Sequence, residues 1–189
     1  MNTISAFFFD LDGTLVNTHQ SNYRAYLSAV RDVTGIELGV ELMERIKAGE
    51  SSDQFLSELI PEISPDVIAK INTRKKEVYP DHLDASELNE FLSTFLEQMA
   101  AHYTTVLVTT AKKKNAMAVL RQYDLERHFT HTIFGDEVSS MKPHPEAYQL
   151  ALKKAGVKSE EAIAFEDSDK GIQAANAAGI KTIHIRSFE

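Results

Sequence analysis

The chain has 189 residues, room for one domain or for a domain that carries a smaller insert. Its 43% hydrophobic and 25% charged content is that of an ordinary globular protein. A net charge of −8, with no basic block beyond Lys112-Lys113-Lys114, argues against nucleic acid as the main partner, and the lack of cysteine excludes disulfides, thiolate nucleophiles and zinc–thiolate sites.

Residues 4–9 are apolar and aromatic, and the run stops at Asp10. It is too short to span a bilayer and lacks the basic leader of a signal peptide, as no other apolar run spans one, so no membrane is expected as a partner and the cytoplasm is the expected compartment. The run suits a strand buried on both faces of a parallel sheet. Asp10 then stands at the carboxyl end of that strand, where ligands bind in open α/β sheets. If the backbone stays extended for two more residues, Asp12 points the same way as Asp10. Gly13 follows and lets the chain turn with positive φ. Two carboxylates this close repel, and burial raises at least one pKa. They make sense around a divalent cation, or as one ionised group beside one that is protonated part of the time. The bland alternative is a solvated acidic turn after an edge strand, but three consecutive phenylalanines are hard to leave on an edge.

The next stretch is helical. Tyr23, Tyr26, Leu27 and Val30 form one stripe, ended near Gly35, and Val40, Leu42, Met43 and Ile46 form another, ended near Gly49. Ser51, Ser52 and Asp53 open a third helix with Phe55, Leu56, Leu59 and Ile60, which Pro61 stops. Ser64-Pro65-Asp66 opens a fourth, with Val67, Ile68 and Ile71 as its apolar face. No convincing strand is expected between Leu15 and Pro80.

From Ser86 the pattern changes. Leu88, Phe91, Leu92, Phe95 and Leu96 make an amphipathic helix, and residues 104–110 are a β-branched strand. A helix through Met117, Val119 and Leu120, a strand over 131–134 and a helix over 145–154 follow. A strand over 162–165, an alanine-rich helix over 168–178 and a last strand over 182–185 complete the chain. This alternation predicts an α/β fold: a doubly wound, Rossmann-like parallel sheet covered on both faces. The expected core is residues 1–14 and 87–189, with a helical cap over residues 15–86 and hinges near 16–18 and 80–85. An insert there would act as a lid; the bland alternative is that its helices merely extend the core.

Three more chain positions carry reactive groups. Val106-Leu107-Val108 ends in Thr109-Thr110, a hydroxyl and backbone N–H groups leading into a helix, which suits a phosphate oxyanion. Met141-Lys142-Pro143-His144-Pro145 holds one lysine in a loop stiffened by prolines, where it can neutralise a phosphate or an aspartate. Residues 162–168 repeat the opening pattern and end in Glu166-Asp167. A shared sheet edge brings Asp10, Asp12, Glu166 and Asp167 towards one another, and oxygen-only ligands favour Mg²⁺.

Taken in order, four segments resemble the haloacid dehalogenase superfamily, and most closely its phosphatase and β-phosphoglucomutase-like branch with a helical cap. They are Phe9-Asp10-Leu11-Asp12-Gly13-Thr14-Leu15, Val108-Thr109, Lys142-Pro143, and Phe165-Glu166-Asp167-Ser168 with Gly171-Ile172, Ala174-Ala175 and Ala178-Gly179. The resemblance implies a Mg²⁺-dependent phosphatase of a small phosphorylated metabolite. Asp10 would be the nucleophile that forms an aspartyl phosphate, and Asp12 the general acid and base. Thr109 and the Thr110 N–H would hold the phosphoryl oxygens, and Lys142 would balance charge. Asp10, Asp167, Glu166 and the Asp12 carbonyl would hold Mg²⁺. Asp169 is left out, since a solvated first-turn position explains it.

The sequence departs from the close relatives on the cap side. Asn17 stands where an aspartate is frequent, and Asn22 where the mutases have a histidine. Gly49-Glu50-Ser51-Ser52-Asp53 lacks the arginine that mutases use on a second phosphate, unless Arg74, Lys75 or Lys76 replaces it. A phosphatase is therefore expected over a mutase. A dehalogenase has no need of Asp12, and a phosphonatase usually lacks it. A non-enzymatic receiver domain would place its phosphorylated aspartate after a middle strand, where this chain has Thr109-Thr110. A degraded, binding-only relative would have lost core residues that are all present here.

Overall fold

The computed structural model describes residues 3–186 and Phe188. β1 (Ala6–Phe9) is the middle strand of a five-stranded sheet, which explains its composition. Its neighbours are β4 (Thr104–Val108) and β6 (Ala162–Glu166), with β5 (His131–Ile133) and β7 (Lys181–His184) outside them. All pairings in this sheet are parallel. From β1 the chain winds outward through β4 to β5, returns to β6 on the other side of β1, and ends at β7. The crevice between β1 and β6 is thus the switch point at which α/β sheets of this kind bind ligands.

The three phenylalanines divide between two faces, as period two requires. Phe8 joins Ala6, Val106, Val108 and Ala164 in one core layer. Phe9 stacks on Phe165 at 4.9 Å, and Phe7 meets Phe95 edge-on at 5.5 Å. Burial of each ring is worth about 1.5–3 kcal/mol. A slip of one residue would exchange the faces and lose that packing, so the place of Asp10 is tightly set.

The chain divides into two compact units, Met1–Asn17 with Glu87–Glu189, and Thr18–Ser86. The second unit is helical: α1 (His19–Thr34), α2 (Glu41–Lys47), α3 (Ser52–Leu59) and α4 (Pro65–Val78), then a 3₁₀ segment over Tyr79–Ala85. Gly35 ends α1 with φ 73°, Ser51 caps α3 and Ser64 caps α4, as their sequence signals predict. Ala29, Val30, Leu42, Phe55, Leu56, Ile68 and Ile71 form its core. The buried residues of α1 are Ser21, Ala25, Ala29 and Val30; of the expected stripe Val30 is fully buried, while Tyr23, Tyr26 and Leu27 are half-buried and pack against this core. Val40 is 75% exposed because α2 begins after it.

In the first unit, α5 (Glu90–Ala100) follows the short strand β3 (Glu87–Leu88), α6 (Lys113–Gln122) follows β4, and α7 (Glu146–Ala155) and α8 (Asp169–Ala177) flank β6. Tyr148 and Ala151 of α7 and Ala174 and Ala175 of α8 pack with Phe8. Phe91 departs from the expected apolar stripe. It is 82% exposed, since the ring cluster on the sheet begins one turn later, at Phe95. Leu88 belongs to a two-residue strand rather than to the helix. β2 (Val16–Asn17) and β3 (Glu87–Leu88) form an antiparallel ribbon, too short to leave a period-two signal in the sequence. No helix among the described residues is long and apolar enough to cross a membrane.

Asn89 ties this ribbon to the loop after β1. Its N–H donates to Leu15 O at 2.9 Å, its side-chain amide donates to Thr14 O at 3.1 Å, and its Oδ1 accepts from Leu92 N at the start of α5. Asn89→Ala removes a helix cap and leaves a buried carbonyl without its donor. These are worth about 1 kcal/mol and about 1–3 kcal/mol respectively. Urea unfolding of Asn89→Ala is expected to show a loss of about 2 kcal/mol; a loss below about 0.5 kcal/mol would mean that the loop is held elsewhere.

Candidate active site

Asp10 continues β1 by one more hydrogen bond, from its N–H to Phe165 O at 3.0 Å. The register pairs Phe9 with Phe165, so Asp10 lies beside Glu166, the last residue of β6. The chain does not stay extended to Asp12. Leu11 opens a turn, its carbonyl accepts from both Leu15 N and Val16 N, and Gly13 completes the turn with φ 87°. The alternation rule therefore stops at Asp10. Asp12 is half-buried in the turn, bridged through its backbone to Val16.

Lys142 joins the two central strand ends. Its Nζ donates to Asp10 Oδ1 at 2.6 Å, to Glu166 Oε1 at 2.6 Å and to Val108 O at 2.8 Å, so all three ammonium protons are used. The loop that carries Lys142 is gathered by Glu146 at the start of α7, whose carboxylate accepts from Ser139 N and Ser140 N at 2.8 Å each. Those amides, Ser139 first, hold the Glu146 pKa below its usual value.

Asp10, Glu166 and Asp167 each offer a carboxylate oxygen, and the three lie within 4.8 Å of one another. Asp12 contributes no carboxylate to this group. Burial pushes Asp10 well above the ordinary aspartate pKa, and the charge of Glu166 adds to the rise against the opposing pull of Lys142. Burial likewise raises Glu166 and Asp167. Burial alone would lower Lys142, but the Asp10 and Glu166 charges reverse that and raise it. Fully ionised, three carboxylates and one ammonium leave two negative charges uncompensated. Glu166 Oε2 is buried with no hydrogen-bond partner among the described residues. An unpaired oxygen in a cluster two charges short fits a divalent cation.

Close packing shapes these carboxylates. A Cβ on Gly13 would stand 2.1 Å from Asp167 Oδ2, and one on Gly171 would stand 2.0 Å from Glu166 Oε2. Thr14 Oγ1 donates to Asp167 Oδ1 at 3.0 Å, and His184 Nε2 donates to Asp167 O at 3.0 Å. Tyr148 OH donates to Glu166 Oε1 at 2.5 Å. Sequence reasoning did not assign Thr14, Tyr148, Glu146 or Gly171 to these tasks. Gly171 and Thr14 stand inside the motifs named above, whereas Tyr148 carries no signal beyond its place in the helix expected over 145–154.

Thr109 lies just past β4, buried, its N–H donating to Ile133 O and its Oγ1 accepting from Ala111 N at 3.0 Å. With that acceptance made, the hydroxyl proton is free to donate elsewhere. Thr110 is exposed at the head of the turn. Its carbonyl packs against Gly135, where a Cβ would stand 2.1 Å away, and Gly135 N donates to Ala111 O at 2.9 Å. That seat fixes the peptide planes of the turn. The structure thus unites Asp10, Lys142, Glu166 and Asp167, sets Thr109 at the adjacent strand end, and leaves the Asp12 carboxylate outside the acidic group.

A parallel sheet with an acidic cluster at its switch point has well-defined relatives. Residues 7–185 match the family model of the haloacid dehalogenase-like hydrolases, and the chain belongs to that family. Among its relatives is the phosphorylated carbohydrates phosphatase of Thermotoga maritima, 31% identical over 96% of this chain and 84% of that protein. Among solved structures, CbbY from Rhodobacter sphaeroides in complex with phosphate superposes with a TM-score of 0.83 at 26% identity, covering 98% of this chain and 88% of that one. A putative β-phosphoglucomutase from Thermotoga maritima superposes with a TM-score of 0.77 at 28% identity, over the same shares.

In an open helix, glycine-to-alanine changes stabilise by about 1 kcal/mol. Gly171→Ala is expected to do the reverse, lowering the urea midpoint because the new methyl meets the Glu166 carboxylate. A raised midpoint would show that Glu166 yields without cost.

Proposed function

We propose that this chain is a Mg²⁺-dependent phosphatase of a small phosphate monoester, a sugar phosphate or similar metabolite, working through an aspartyl phosphate on Asp10. The observation that carries this reading is the buried Asp10–Lys142–Glu166 group with Asp167 beside it, two positive charges short of neutrality. Asp10, Glu166 and Asp167, with the Asp12 carbonyl, would hold the cation, and their all-oxygen donor set suits Mg²⁺. When bound, Mg²⁺ supplies the charge that favours ionised Asp10 and draws in an anionic phosphoryl group.

The chain's own residues carry the steps. Asp10 attacks phosphorus, and an O–P bond forms as the bond to the leaving oxygen breaks. Asp12 gives that oxygen a proton. Asp12 then takes a proton from water, whose oxygen attacks phosphorus and releases inorganic phosphate and the Asp10 carboxylate. The Thr109 hydroxyl and the Thr110 N–H bind phosphoryl oxygens. Two like unit charges 4 Å apart repel by about 4 kcal/mol at an effective dielectric near 20, roughly a thousandfold in rate. Lys142 is placed to offset part of that.

The substrate class draws support from the carbohydrate phosphatase relative and from the phosphate complex of CbbY. The putative phosphoglucomutase structure favours a mutase as a second reading. Against it, no arginine follows Ser51, Arg74 is committed to Asp32 and Glu77, and Lys75 donates to Asn22 Oδ1, so of the three cap cations named above Lys76 alone is left for a second phosphate. Residues 1–14 and 87–189 are the proposed catalytic core, since every reactive group named here belongs to them, and residues 15–86 the proposed cap. A metabolite substrate and a cysteine-free chain suit the cytoplasm.

Phosphate release from a panel of small phosphate monoesters, in Mg²⁺ and in EDTA, tests this reading, with β-glucose 1-phosphate also followed for isomerisation. Release that EDTA removes is expected. Isomerisation without net release would establish the mutase, and no turnover in Mg²⁺ would refute both. Asp10→Asn is expected to fold and to lose all turnover. Asp12→Asn is expected to lose about 10²–10⁴-fold in kcat, and a loss under tenfold would count against its acid–base role.

A further inference from the structure

Tyr148 is a buried hydroxyl that the reaction does not use. Its ring is fully buried on α7 and stacks on Phe8 at 6.5 Å, and its OH donates to Glu166 Oε1 at 2.5 Å. Lys142 Nζ donates to the same oxygen at 2.6 Å. A carboxylate oxygen has two lone pairs, so Oε1 is saturated. The other oxygen, Oε2, is buried and has no partner among the described residues. Glu166 is therefore polarised by its surroundings, with one oxygen consumed by the protein and one bare.

We propose that Tyr148 is a positioning residue that makes Glu166 a one-oxygen ligand and so selects Mg²⁺ over Ca²⁺. This rests on the divalent-cation reading above. Ca²⁺ takes six to eight oxygens and readily accepts both oxygens of one carboxylate, whereas Mg²⁺ is satisfied by single carboxylate oxygens and waters. With Lys142 alone on Oε1, one lone pair would return and Glu166 could offer both oxygens. With Tyr148 in place, Oε2 alone keeps lone pairs that no hydrogen bond of the described residues uses. The ring makes the contact with Phe8 and the hydroxyl makes the one with Glu166, so the two tasks of Tyr148 are separable by substitution.

Calorimetric titration of Mg²⁺ and of Ca²⁺, each into EDTA-stripped wild type and Tyr148→Phe, tests the proposal without reference to turnover. Replacing groups that orient metal ligands typically changes metal affinity about 10–100-fold. The ratio of the Ca²⁺ Kd to the Mg²⁺ Kd is expected to fall by about tenfold or more in Tyr148→Phe. Tyr148→Met, which also lacks the hydroxyl but fills the space flexibly, should shift the ratio in the same direction. If both ions bind and the ratio is unmoved in these variants, the tyrosine has only a packing role and the inference is overturned, while the divalent reading stands. If wild type binds neither ion, the divalent reading falls and the inference with it.

Discussion

The contact on which the site depends is the buried ammonium of Lys142 between Asp10 and Glu166. Removing one partner from a buried ion pair typically costs about 3–5 kcal/mol, because the other is left charged in a poor solvent. Here the imbalance is built in, since one lysine faces three carboxylates. The fold tolerates it by spreading the burden. Val108 O takes the third lysine proton, Tyr148 takes part of Glu166, and Thr14 takes part of Asp167. What remains uncompensated is negative charge that a divalent cation can neutralise.

The sheet explains why this group can exist at all. Charges are brought together only where the backbone can be forced, and the stacked rings of Phe9 and Phe165 force it. They lock β1 and β6 in register one residue before their carboxylates. Glycines then remove the remaining steric obstacles. Gly13 and Gly171 let the Asp167 and Glu166 carboxylates lie against backbone where any methyl group would collide. Aromatic packing on one side and missing side chains on the other hold the acidic groups in a space too small for them to avoid one another.

The parts legible in sequence were those written in short, contiguous patterns. Residues 7–10 announced a buried strand ending in a carboxylate, Ser51 and Ser64 announced helix starts, and the strand ends at Thr109 and Glu166 repeated the first signal. The parts that were not legible depend on partners far apart in the chain. Nothing near Tyr148 says that its hydroxyl meets Glu166, and nothing near Glu146 says that it gathers the loop of Lys142. Phe91 misled because periodicity reports which residues share a helix face, not how far the surface beneath that face extends. The turn at Leu11 was missed for a related reason: strand alternation was carried past the last residue with a neighbour to pair with.

The ribbon of β2 and β3 has a consequence for how such a chain can change over generations. Val16 pairs with Leu88 and Asn17 with Glu87, so the segment of residues 18–86 leaves and re-enters the first unit at adjoining points. Paired antiparallel strands lie about 4.8 Å apart. Any foreign segment whose own ends meet within that distance could be spliced there without breaking a hydrogen bond of the parallel sheet. The ribbon thus works as a socket, at which the segment of residues 18–86 can be exchanged while the five-stranded sheet and its acidic group stay under separate selection.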